Sequence, residues 1–189
     1  YNRAMKKVVR RGVSKAEWLD AALELLAQKD ITGLRIEALA RTLGIAKSGF
    51  YWHFKDRQDL LSQMLDHWQH EITEVISDNI TVIDLDPVCR LRKIAEMILD
   101  YDLNRYEFPI RQWASQDAEA ARAVKKVDRI RLNFLRTTFA ELGFEGDDLE
   151  MRTMLFVGYH ASEEYMFTVL PKEKRRELIG KRIELLISK

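Results

Sequence analysis

The stretch Leu34-Arg35-Ile36-Glu37-Ala38-Leu39-Ala40-Arg41-Thr42-Leu43-Gly44-Ile45-Ala46-Lys47-Ser48-Gly49-Phe50-Tyr51-Trp52-His53-Phe54 decides how this chain folds. Ile36, Leu39, Ala40 and Leu43 recur at helical spacing and predict a short helix. Gly44 is placed to close it, since glycine enters left-handed backbone without steric cost. A second, even shorter helix is expected over 46–52, so 36–52 has a helix-turn-helix outline, and a helix of this kind fits the major groove of B-DNA. Ile36, Ala40, Leu43, Ile45 and Phe50 are expected to pack inward, small Ala40 permitting a close crossing. Outward remain Lys47, Ser48, Gly49, Tyr51 and Trp52, with Arg35 before them and His53 and Lys55 after. Ammonium, phenol, imidazole and helix N-terminal amides all bind phosphate well. The outline alone also recurs in proteins that never meet DNA. Tyr51 and Trp52 could instead pack on the next helix, so shape leaves both uses open.

Working outward toward the N-terminus, Ser14 and Glu17 have capping-box spacing. Trp18, Ala21, Ala22, Leu25 and Leu26 then share one face, predicting a helix over about 15–29. The segment 29–34 reads as a break, with Gly33 as the expected positive-φ residue. Ahead of it all, Arg3, Lys6, Lys7, Arg10 and Arg11 make a basic arm.

Toward the C-terminus, Asp56 is expected to cap a long helix, whose stripe runs Leu60, Leu61, Met64, Leu65, Trp68, Ile72, Val75 and Ile76. A break at 84–87 follows, with Pro87 suited to a helix's first turn. Further helices are expected to about Leu103, around Ile110 and Trp113 beyond Pro109, and over about 119–141, 147–169 and 172–187. No run of alternating polarity appears, so the chain reads as all-α: a three-helix head over 1–57, joined to a larger helical bundle over 58–189.

Charge is divided in the same way. The net +1 of 31 Lys+Arg and 30 Asp+Glu conceals a head with 12 basic and 6 acidic residues on a mildly acidic body, a pattern that suits polyanion binding. No run of about 18 apolar residues appears, so no membrane span is expected. The lone Cys89 excludes an intramolecular disulfide and suits a reducing cytoplasm. His67 and His70, three apart, permit a metal pair, but no partner at matching spacing follows, and no metal or cofactor is expected. Neither a phosphate-cradling glycine loop nor a nucleophile elbow occurs, and nothing supports an enzyme.

The decisive stretch, continued through Lys55-Asp56-Arg57-Gln58-Asp59-Leu60-Leu61, resembles the DNA-binding signature of tetracycline-repressor-type (TetR family) regulators over about 14–65. That signature runs as a Leu-Ala-x-x-Leu-Gly turn, then Ser-Lys-Gly-Ser/Thr-Phe/Leu-Tyr-Tyr/Trp-His-Phe. The order Ser48-Gly49 departs from it, as does Ala46 where serine is common. The resemblance implies a homodimeric transcription regulator, typically a repressor released from a palindromic operator in double-stranded DNA by a small molecule. By position, Lys47, Tyr51, Trp52 and His53 would take phosphate-contacting roles, with Ser48 and Gly49 nearest the bases.

The same resemblance places the dimer surface on the last two helices, where Leu155, Gly158 and Ser162, and Leu178, Ile183 and Leu186, form stripes. Those stripes would equally serve the subunit's own core. Met97, Tyr101, Tyr106, Phe108, Trp113, Phe134, Tyr159 and Met166 offer the bulk for a partly apolar effector pocket, or for ordinary packing. A helical ligand-binding or interaction module whose head no longer binds DNA is the alternative at this point.

Overall fold

The structure, a computed structural model, describes residues 12–76, 80–166 and 170–188, with side chains described outside 74–81. The basic arm at 3–11, the side chains of Val75 and Ile76, and Val169 therefore lie outside the described residues. Among the described residues all regular structure is helical, as the spacing predicts. The chain divides into two compact units, a head Tyr1–Met64 and a body Leu65–Lys189, so the division falls inside a helix beyond the expected boundary at 57.

In the head, α1 (Lys15–Gly33) begins with the expected capping box. The Glu17 amide donates to Ser14 Oγ at 3.3 Å, and Glu17 Oε2 accepts the Ser14 amide at 2.7 Å, satisfying two amides a helix start leaves unpaired. The break falls differently from the expectation. Asp30, with φ 61°, is the positive-φ residue, whereas Gly33 is not. The Asp30 carboxylate accepts from the amides of Thr32 and Gly33 and from the Thr32 hydroxyl, which fixes the kink without glycine. α2 (Ile36–Leu43) ends at Gly44, φ 68° and ψ 30°; the Ile45 amide reaches the Ala40 carbonyl at 3.0 Å and closes a Schellman turn. The next element, η1 (Lys47–Trp52), is a 3₁₀ helix. α3 (Arg57–Ile76) starts under Asp56, whose Oδ1 accepts the Asp59 amide at 2.9 Å.

The head's core is built around Trp18 of α1, which meets Phe50 edge-on at 5.6 Å and Phe54 at 6.5 Å. Leu23, Leu26, Leu34, Leu39 and Leu60 are fully buried in the same unit. Burying Trp18, Phe50 and Phe54 together leaves the intervening Tyr51 and Trp52 no place inside.

The body comprises α4 (Ile80–Ile83), α5 (Pro87–Asp100), α6 (Glu107–Ala114), α7 (Ala118–Glu141), α8 (Gly146–Met166) and α9 (Lys172–Ile187). Pro87 occupies the first turn of α5 behind the N-cap Asp86. Pro109 lies within the first turn of α6 rather than before it, where a missing amide hydrogen costs nothing. Leu91, Ile94, Ile98, Leu135, Phe139, Phe156, Ile179 and Ile183 form one apolar core across α5, α7, α8 and α9. No helix among the described residues is long and apolar enough to cross a membrane.

Candidate nucleic-acid interface and body sites

Within the head, α2 and η1 cross so that Phe50 and Leu39 point in and a polar-aromatic face points out. Trp52 is 86% exposed and Tyr51 55%, large values for aromatic side chains. Arg35, Lys47, Ser48 and Lys55 are exposed beside them, and Gly49 is half-buried. A side chain's Cβ at Gly49 would lie 3.3 Å from Ile45 Cδ1, so the departure at Ser48-Gly49 puts the hydrogen where the backbone crosses Ile45.

Two residues of this face carry ties that sequence spacing does not disclose. The Lys47 ammonium lies 2.5 Å from Glu37 Oε1. Their mutual hydrogen bond holds the Glu37 carboxyl below the usual carboxylate range and the Lys47 ammonium above its own. His53 is half-buried, and its Nε2 lies 2.9 Å from the Val13 carbonyl, so its imidazole ties the entry of α1 to the end of η1. With a carbonyl as partner, Nε2 carries the hydrogen. Arg57 holds the opposite corner: Nε donates to the Leu34 carbonyl at 2.9 Å and Nη2 to the Ile31 carbonyl at 2.8 Å. Neither tie belongs to a local pattern, since the partners stand 40, 23 and 26 residues apart.

The body disperses the eight residues expected to line a pocket. Met97 and Trp113 are buried in packing, and Phe134 lies against the core. Phe108 stacks on Tyr165 at 4.0 Å on the surface, and Met166 is exposed. Tyr159 lies beneath the Arg182 guanidinium at 4.0 Å, its hydroxyl 3.3 Å from Glu163. Tyr101 and Tyr106 alone among them line a recess of about 170 Å³, with Trp68, Glu71, Ile72, Asp102, Leu103 and Arg105. A separate cavity of about 30 Å³, room for a water or two, lies among Ile94, Ile98, Leu103, Asn104, Arg131, Leu135, Phe156, Val157, His160 and Ala161.

The polar groups near that cavity are already engaged. Glu107, 1% exposed, accepts from Arg131 at 2.8 and 3.0 Å and from Arg111 at 2.8 Å, while Arg111 also grips Asp128. Two arginines and two carboxylates thus balance in charge, which lets them be buried. Asn104 donates to the His160 carbonyl at 2.7 Å. The buried His160 ring bridges the Phe156 carbonyl at 2.8 Å and Arg182 Nη2 at 3.2 Å.

The expected dimer stripe is split. Leu155 is 54% exposed and Gly158 is exposed, continuing a row with Met151, Met154, Tyr165 and Met166 along α8, and Ser162 is half-buried. On α9, however, Ile183 is fully buried and Leu186 7% exposed, so both serve the unit's own core instead of an outer surface, and Leu178 is half-buried. Ile183 falls in line with Ile179, and that row faces α5.

These features define a helix-turn-helix head on a helical body. Residues 19–64 match the family described as bacterial regulatory proteins, tetR family. It is 30% identical over 82 residues to the HTH-type transcriptional regulator AcrR of Shigella flexneri, covering 43% of this chain but 38% of that protein. Among solved structures it is similar to FadR of Bacillus subtilis in complex with stearoyl-CoA, with a TM-score of 0.69, 18% identity, and 93% and 98% of the two chains covered. It is also similar to AibR in complex with isovaleryl coenzyme A and operator DNA, with a TM-score of 0.72, 16% identity, and 92% and 97% covered. At those identities the likeness to FadR and AibR is one of fold, and it extends over head and body together.

Proposed function

We propose that this chain is a DNA-binding transcriptional regulator: a homodimeric repressor that leaves a palindromic operator when a small, partly apolar molecule binds its body. The observation that carries the reading is the outward face of η1, where Trp52, Tyr51 and Ser48 stand exposed, with Lys55 just beyond it, beside a buried aromatic core. Phosphate contacts from such groups position a short helix, and base edges are read at its centre. One short helix reads few bases, so two heads on a two-fold axis are needed for an operator. The exposed row on α8 offers an apolar surface for self-association. Fold likeness to AibR, solved with operator DNA and an acyl coenzyme A, and to FadR, solved with stearoyl-CoA, favours a regulator whose body binds an effector. Differential affinity of that effector for two spacings of the heads would release DNA by population shift.

The test is a titration of the full chain into a labelled duplex from DNA flanking its own gene, at several salt concentrations and with competitor DNA present. Tight binding that resists competitor and falls steeply with salt is expected. Tyr51→Phe and Trp52→Ala are expected to weaken it. Binding indifferent to both salt and these substitutions would overturn the reading.

A further inference from the structure

Lys47 is the cation nearest the start of the outward helix, yet its charge is already engaged. Glu37 stands in the first turn of α2, and its carboxylate meets the Lys47 ammonium at 2.5 Å, tying that turn to the first residue of η1. The carboxylate suits its place for a local reason, because the positive end of the α2 dipole lies there. Both side chains are exposed, so the pair contributes little to stability. Its consequence falls on DNA. A lysine strengthens binding by displacing a condensed counterion from a phosphate. Held against a carboxylate, this lysine has no net charge to offer, and the carboxylate itself repels the backbone.

We propose that Glu37 limits DNA affinity: it withholds the Lys47 ammonium from duplex phosphates and so lowers sequence-independent binding. The proposal rests on the reading of η1 as a DNA-facing surface. Non-specific binding is almost wholly a matter of phosphate charge, whereas an operator adds base contacts. A restrained lysine therefore raises the ratio of specific to non-specific binding and keeps the protein from spreading over bulk DNA. Glu37 acts here through Lys47 and is a positioning residue, so the effect of removing it depends on whether the lysine is present.

The experiment uses the full chain, a fluorescent mixed-sequence duplex and anisotropy titrations over a range of KCl. Glu37→Gln is expected to bind about fivefold more tightly at low salt, the worth of one charge contact at the water-exposed surface. The slope of log affinity against log salt should steepen by roughly 0.9, one further phosphate neutralised. Lys47→Gln alone is expected to weaken binding, because it leaves the Glu37 carboxylate unpaired beside the phosphates, and in the double variant the gain from Glu37→Gln should be clearly smaller than beside the lysine. A gain that persists in full without Lys47 would overturn the proposal, because Glu37 would then act by plain repulsion. So would the absence of any gain in Glu37→Gln with an unchanged thermal midpoint. A wild-type chain whose binding ignores salt would instead remove the DNA-facing reading itself, a result distinct from either.

Discussion

Arg57, the first residue of α3, donates from Nε to the carbonyl of Leu34 at 2.9 Å, closing the corner between α1 and α2. The same guanidinium reaches the Ile31 carbonyl at 2.8 Å. The two carbonyls, one in the last turn of α1 and one just past its end, thus find a rigid fork. Arg57→Ala removes two charge-assisted hydrogen bonds and should destabilise the chain by about 2–4 kcal/mol in urea unfolding. Arg57→Lys retains the charge but cannot span both carbonyls, so it should recover less than half of the loss. Full recovery by lysine would show that charge, not the fork, holds the corner.

Asp30 gives a second test of the same corner. Its φ of 61° and ψ of −176° lie in a region that only glycine occupies without strain. Hydrogen bonds from Thr32 hold its carboxyl below the usual carboxylate range. Asp30→Ala keeps the strain and loses the acceptor, and should lower the thermal midpoint by roughly 4–8 °C. Asp30→Gly loses the acceptor but relieves the backbone, and should melt at or above the wild-type temperature. Because the folded pKa is depressed, the carboxylate's contribution is present above the unfolded value near 4 and is lost as pH falls below it. An equal drop in both variants would assign the position to the carboxylate alone.

What could be read in advance follows from how far each interaction reaches along the chain. The capping box at Ser14 and Glu17, the closure at Gly44 and the cap at Asp56 are local and were legible, as were α5 to α9 of the body, whereas the short α4 was not. Gly33 took the place of Asp30 in the reading because an aspartate that builds its own turn looks, in sequence, like any polar loop residue. The outward face of η1 was legible because Phe50 and Phe54 bracket it with obligate core. The pocket was not: eight bulky residues on helices of similar periodicity cannot be sorted into wall and core without knowing which faces meet. Glu107 with Arg131, and Arg111 with Asp128, were hidden for the same reason, since those ties span α6 and α7. Ile183 and Leu186 show the converse error, a good apolar stripe assigned to the wrong partner.

His160 should make the body sensitive to acid. Arginine only donates and a carbonyl only accepts, so Nδ1 carries the hydrogen toward Phe156 and Nε2 accepts from Arg182. Burial first, and then the Arg182 charge, push its pKa down to about 3. The ring is neutral in the folded chain, while the unfolded chain takes up a proton below about 6.5. Its contribution is therefore complete above that value and declines as pH falls from about 6.5 toward the folded pKa, by on the order of 1 kcal/mol per pH unit. Urea unfolding of wild type and His160→Gln at pH 7.5, 6.5 and 5.5 measures it. The wild type should lose about 1 kcal/mol more than the variant between the two lower values. Parallel lines would mean that His160 is protonated in the folded chain as readily as in the unfolded one.

Gly158 offers the sharpest test of self-association through α8. Glycine inside a helix costs about 0.5–1 kcal/mol relative to alanine, yet a Cβ at Gly158 would meet nothing within 4 Å in this chain. Nothing inside the unit requires a glycine there. A close approach by another helix would, and Met151, Met154 and Leu155 lie exposed one and two turns before it. Gly158→Leu should therefore fold with an equal or higher thermal midpoint, yet associate at least tenfold more weakly in sedimentation equilibrium, about 1.4 kcal/mol. Leu155→Glu should separate the copies by a different route, placing a charge in an apolar contact. If Gly158→Leu associates as tightly as wild type while Leu155→Glu does not, the copies meet on this face at a distance that leaves Gly158 clear. If neither changes association, the surface lies elsewhere, and the two-fold pairing of heads must be built on other residues of the body.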